Sequence, residues 1–109
     1  MPHRDIQTLD PATFQATLDA AALPVLVDFW APWCAPCRAL APRLQQVADR
    51  FAGELEVRKV DVDTAPELAA RLKIRGIPTL MLFKHGQPHS ARVGLQTEAE
   101  LTAWFQTAL

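Results

Sequence analysis

Apolar positions along the chain switch between a period of two and a period near 3.6, and each switch marks an element. A short extended start lies near Ile6, and Asp10-Pro11 then offers a cap and a first-turn proline. Phe14, Leu18 and Ala21 follow at helical spacing. Pro24-Val-Leu-Val-Asp-Phe-Trp30 is apolar and β-branched almost throughout, as in a strand covered on both faces. Leu40, Leu44, Val47 and Phe51 form one helical stripe, with Gly53 as its stop. Leu55-Glu-Val-Arg-Lys-Val-Asp-Val-Asp63 alternates as a strand, and Thr64-Ala-Pro-Glu67 has the form of a capping box opening a short helix through Leu68 and Leu72.

The second half changes character. Thr79-Leu-Met-Leu-Phe-Lys84, a turn at His85-Gly86 and His89-Ser-Ala-Arg-Val-Gly94 predict a hairpin. Thr97-Glu-Ala-Glu100 is a second capping box, and Leu101, Trp104 and Phe105 form the inward face of the last helix. The order βαβαβαββα predicts an α/β fold with a central mixed β-sheet flanked by helices. Pairing should be parallel wherever a helix crosses over and antiparallel at the hairpin.

The 109 residues suit a single domain, 1–109, with about 1–5 as a flexible arm. Half the residues are hydrophobic and 21% are charged, which excludes a disordered tail. The formal net charge is -1 and no block of like charge occurs, so neither nucleic acid nor an anionic membrane is an expected partner. No apolar stretch approaches the roughly 20 residues of a spanning helix. The first fourteen residues, Met1 to Phe14, lack the apolar centre of an export signal, so a cytoplasmic location is expected.

Two cysteines, Cys34 and Cys37, stand in Phe29-Trp-Ala-Pro-Trp-Cys-Ala-Pro-Cys-Arg38. A reducing compartment keeps such thiols free, and a C-x-x-C closes too short a loop to staple a fold. The pair therefore reads as chemical rather than structural. Three stretches together resemble the thioredoxin family: Val27 to Arg38, then Arg75-Gly-Ile-Pro-Thr79, then Phe83-Lys-His-Gly86 with Val93-Gly94. A bare C-x-x-C also serves zinc sites, but one at a strand-to-helix junction with G-I-P-T and a Gly-turn hairpin beyond is far more specific. The resemblance runs from about Ile6 to the last helix and implies a thioredoxin-like fold.

At the mouth of a helix, Cys34 would face unpaired backbone N–H groups and the positive end of the dipole, which favours its thiolate. Cys37 is expected one turn further in, more buried than Cys34 and close enough for the two sulfurs to bond. The expected reaction is attack by Cys34 on a substrate disulfide and resolution by Cys37, leaving a Cys34–Cys37 redox-active disulfide. Asp28 interrupts an apolar strand, and burial would raise its pKa. The resemblance places Asp28 beneath Cys37 as a proton-transfer group and Lys59 near it as a tuning charge. It also implies a cis Pro78 facing the active-site sulfur. Ile77 would then be free to pair with an extended substrate segment, and Trp33, Ile77, Pro78 and Gly94 would form a docking patch around Cys34.

Ala35 stands where the common family motif has glycine. A Gly-to-Ala difference is worth up to about 1 kcal/mol, or some 20 mV in a two-electron couple, too little to turn a reductant into a strong oxidant. The expectation is thus a protein-disulfide reductase with no bound cofactor and no metal. The resemblance implies electrons from NADPH through a thioredoxin reductase. It also implies oxidised targets such as peroxiredoxin, methionine sulfoxide reductase or ribonucleotide reductase, and a monomer. Three alternatives stay open: a docking subunit with an incidental dithiol, a more oxidising oxidase or isomerase, and a zinc site joining the cysteines to His85 and His89. The last is disfavoured because those histidines lie far along the chain, against about 12–15 residues in a zinc finger. His3 on the amino-terminal arm reads as solvated.

Overall fold

The computed structural model describes residues 5–109. His3 and most of the expected arm lie outside the described residues. The elements run β1 (Gln7–Thr8), a 3-10 turn (Pro11–Thr13), α1 (Phe14–Ala20), β2 (Val25–Trp30), α2 (Ala35–Arg50), β3 (Glu56–Asp61), α3 (Pro66–Arg71), β4 (Thr79–Lys84), β5 (Gln87–Val93) and α4 (Glu98–Ala108). The five strands form one mixed sheet in the order β1-β3-β2-β4-β5. β2, central and apolar, is buried along its length up to Trp30.

Strand alternation sorts the core into two layers. Leu26, Val57, Leu80 and Leu82 face α2 and α4 and pack on Leu40, Leu44, Val47, Leu101, Trp104 and Phe105. Val25, Val27, Phe29, Val60 and Phe83 face the other way, onto Phe14, Leu18 and Leu68 of α1 and α3. Most of these side chains are fully covered, each contributing about 1.5–3 kcal/mol over the exposed state. The α/β architecture expected from the sequence, a mixed sheet flanked by helices, is the one observed.

Three details differ. β3 and β2 pair in parallel across α2, but β4, reached through α3, pairs antiparallel with β2. Helix length accounts for this. The 16 residues of α2 rise about 24 Å and return the chain to the far end of the sheet, whereas the six of α3 rise only about 9 Å. After α3 the chain re-enters at the end it left, and β4 must run back. The Thr64–Glu67 capping box does not form: Ala65 is the N-cap without a side-chain bond, because the Thr64 hydroxyl donates to the Asp61 carbonyl instead. β5 begins at Gln87 rather than His89, since His85 and Gly86 both take positive φ and close a two-residue turn that pairs Lys84 directly with Gln87. The second capping box, Thr97 with Glu100, is fully formed.

Candidate functional site

The site is built where β2 hands over to α2. The chain leaves Trp30, passes buried Ala31, exposes Trp33 and reaches Cys34 as the N-cap of α2, in extended conformation at φ −85° and ψ 108°. Pro36 has no N–H, so the Cys37 N–H is the donor that turns back onto Cys34 Sγ, at 3.3 Å. The Arg38 guanidinium fastens the preceding loop by donating to the Pro32 carbonyl. Cys34 and Cys37 are joined as a disulfide, with Cα atoms 5.2 Å apart. Their exposures are 4% and 2%, so burial barely distinguishes them. What does is orientation: Cys34 sulfur takes the helix-terminal N–H, the group that stabilises a thiolate there.

The opposite wall is the loop into β4. The Ile77–Pro78 peptide is cis, and the Ile77 carbonyl oxygen stands 3.8 Å from Cys34 Sγ. Gly94, at φ +94°, donates its N–H to the Pro78 carbonyl at 2.8 Å, and Thr79 donates its hydroxyl to the Gly76 carbonyl. Of the four residues expected to surround Cys34, Trp33 is exposed and Ile77 and Gly94 are half-buried, while Pro78 is itself buried as it leads into the covered start of β4. Exposed Val93, missed in the sequence, adds to this rim. Trp33 donates its indole N–H to Asp63 at 2.8 Å. That bond fixes the ring over an apolar recess of about 200 Å3 lined by Trp33, Val62, Ala69, Ile74, Arg75, Gly76 and Ile77. Asp63 lies 30 residues from Trp33, and no local signal pointed to it.

Asp28 sits in the middle of β2, on the face that Leu26 shares with α2. It is 6% exposed, and Oδ1 accepts no hydrogen bond from the described residues. Burial pushes its carboxyl up from 3.8 to about 7, partly opposed by the positive charge of Lys59. Lys59 is directly opposite on β3, and its ammonium lies over the Trp30 ring, 5.3 Å from the centroid. Trp30 packs in turn against the cluster of Ala31, Cys34 and Cys37. The sheet thus ties Asp28, Lys59, Trp30 and the dithiol into one neighbourhood. His85 and His89 are not brought there: they occupy the β4–β5 hairpin, with His85 past the end of β4 opposite Thr79. Among the described residues, no group of three or more His, Cys, Asp or Glu is placed to hold a metal ion, and no helix is long and apolar enough to cross a membrane.

A dithiol with one sulfur on a helix N-terminus and its twin a turn deeper is built to exchange disulfides. Known proteins agree with that geometry. The thioredoxin family model matches residues 5–107. The chain is 43% identical over 97 residues to a thioredoxin of Acidithiobacillus ferridurans, covering 89% of this chain and 90% of the relative. It is 45% identical over 103 residues to thioredoxin 1 of Nostoc sp., covering 94% and 95%. It is 48% identical over 90 residues to a thioredoxin of Mycobacterium tuberculosis, covering 83% and 78%. With the strand-to-helix dithiol, the mixed sheet and a match over nearly its full length, this chain belongs to the thioredoxin family and is a thiol–disulfide oxidoreductase that reduces disulfides and needs no bound cofactor.

Proposed function

We propose that the chain is a general protein-disulfide reductase in which Cys34 attacks and Cys37 resolves. The observation that carries this division of labour is the Cys37 N–H aimed at Cys34 Sγ on the helix terminus. In the reduced protein the same donor and the helix dipole favour the Cys34 thiolate. That thiolate attacks one sulfur of a target disulfide, and the other sulfur leaves as a thiolate and takes up a proton. Cys37 loses its proton and attacks the Cys34 sulfur of the mixed disulfide, releasing the second target thiol. Two electrons have passed to the target, and the Cys34–Cys37 disulfide remains.

Asp28 is the group that takes the Cys37 proton. A carboxyl titrating at about 7 is matched to proton transfer near neutral pH, and the face of β2 it occupies is the one α2 covers. Lys59 tunes it. Trp33, Ile77, Pro78 and Gly94 receive an extended target segment: the Ile77 backbone N–H has no hydrogen-bond partner among the described residues and is available for strand addition. Pro78 shapes this wall from beneath. The chain 1–109 acts as one domain and a monomer in the cytoplasm. A thioredoxin reductase using NADPH re-reduces it, and its targets are oxidised enzymes of the peroxiredoxin, methionine sulfoxide reductase and ribonucleotide reductase kind.

Reduction of insulin with dithiothreitol as donor tests this. The native chain is expected to turn over and Cys34→Ser to be inactive; turnover retained in that variant refutes Cys34 as nucleophile. Equilibration with glutathione buffers separates a reductant from an oxidase or isomerase.

A further inference from the structure

Two polar atoms on the covered face of β2 lack hydrogen-bond partners among the described residues: Asp28 Oδ1 and Trp30 Nε1. Alternation puts both side chains on one face of the strand, and the register sets Lys59 opposite Asp28 and diagonal to Trp30. The Lys59 ammonium makes no ion pair among the described residues. It lies over the face of the Trp30 ring, 5.3 Å from the centroid and within the range of cation–π attraction. A lysine stem is long and flexible, so an ammonium without a carboxylate partner needs something else to hold it near the sheet. The ring itself is held, because it packs against Ala31, Cys34 and Cys37.

We propose that Trp30 is a positioning residue, the face of its indole holding the Lys59 ammonium beside Asp28 and so setting the field in which that carboxylate exchanges its proton. This rests on the proton-transfer reading of Asp28 given above. Lys59 is the charged group on β3 that shifts Asp28, while Asp61, two residues further along the same face and opposite Trp30, accepts the Asp63 backbone N–H. Leu80, opposite on β4, carries no charge, and neither do the buried Leu101, Trp104 and Phe105 of α4. Cys37 is the titratable group on the buried face of α2 and holds no proton in the oxidised protein. Without the ring the ammonium moves toward water, where its attraction for the carboxylate is screened, and Asp28 then ionises at higher pH. Loss of the ring also admits water to the carboxylate, which acts in the opposite direction. The two effects separate when Trp30 is substituted both with and without Lys59.

The test is a carbon-13 NMR titration of Asp28 in the oxidised full chain, for the native protein, Trp30→Phe, Trp30→Leu, Lys59→Met and the Trp30→Leu/Lys59→Met double variant. Lys59→Met is expected to raise the Asp28 titration by about one pH unit. Trp30→Leu should move it upward relative to the effect of the same substitution in the Lys59→Met background, and Trp30→Phe, which keeps a ring face, should stay close to native. Equal effects of Trp30→Leu in the two backgrounds, a Phe variant that titrates like the Leu variant, or no shift on Lys59→Met overturns the proposal. A measurement on the native protein needs no substitution to fold. The Lys59 Cε protons should show an upfield ring-current shift, and their absence from that position also overturns it. Asp28→Asn resolving mixed disulfides at the native rate would defeat the proton-transfer reading and leave this titration result standing, so the two failures are distinguishable.

Discussion

Replacing Asp28 by Asn removes a group that the fold holds at an energetic cost, and the size of that cost follows from its titration. Burial raises the carboxyl from 3.8 to about 7. Between those two pH values the folded chain holds a proton that the unfolded chain has released, so stability falls as pH rises through the window. It is fully present below 3.8 and lost by the time pH has passed 7. Each pH unit of separation is worth about 1.4 kcal/mol, giving about 4 kcal/mol in all, of which about 2.5 kcal/mol falls between pH 5 and pH 8. Asp28→Asn keeps the shape and cannot ionise, so its stability relative to the native chain should climb by that amount over the same interval. Guanidinium unfolding of both oxidised proteins across this pH range measures it, with unchanged m-values as the check that the unfolded states match. Other groups cancel in the difference. Glu100 is one, held low by the Thr97 backbone N–H and hydroxyl at an exposed helix start. A difference that stays flat from pH 5 to pH 8 would mean that Asp28 ionises like a free aspartate and would refute the reasoning.

Three further outcomes are expected. Cys37→Ser should stall after the first step and accumulate mixed disulfides with oxidised targets, visible as a reductant-sensitive gel shift, while Cys34→Ser accumulates none. Thr97→Ala removes one side of a complete capping box and should destabilise the chain by about 1 kcal/mol in denaturant, whereas Thr64→Ala, whose hydroxyl caps no helix, should not lose a cap contribution. Gly86→Ala places a methyl at φ +75° against the Asp19 side chain, and thermal unfolding should register a loss of about 1 kcal/mol or more.

What could be read in the sequence was local and periodic. Phe14 with Leu18, the Leu40–Leu44–Val47 stripe and the Leu101–Trp104–Phe105 face each point into the core as their spacing implies, and Val-Leu-Val-Asp-Phe-Trp forms the central strand. The dithiol at a strand-to-helix junction was legible for the same reason, since both flanking patterns are strong. The direction of β4 was not, because it depends on how far α3 carries the chain rather than on which residues form it. Nor was the failure of Thr64 to cap α3, which a competing carbonyl on Asp61 decides. At the site, the bond from Trp33 to Asp63 and the seat of Lys59 on Trp30 join residues about thirty positions apart. Only the register of β2 against β3 and the turn after β3 bring them together. The cis bond before Pro78, expected from the family resemblance and not from the residue itself, is present, and the burial of Pro78 reflects the packing of β4.

The central claim is that the helix terminus favours the Cys34 thiolate over the thiol. Titration of the reduced chain by thiolate absorbance, paired with the pH dependence of Cys34 alkylation, measures this directly. The expected result is that the helix terminus and the Cys37 N–H draw the Cys34 proton off clearly below the value near 8.5 of a free cysteine. A Cys34 thiol that titrates at that free value would contradict it.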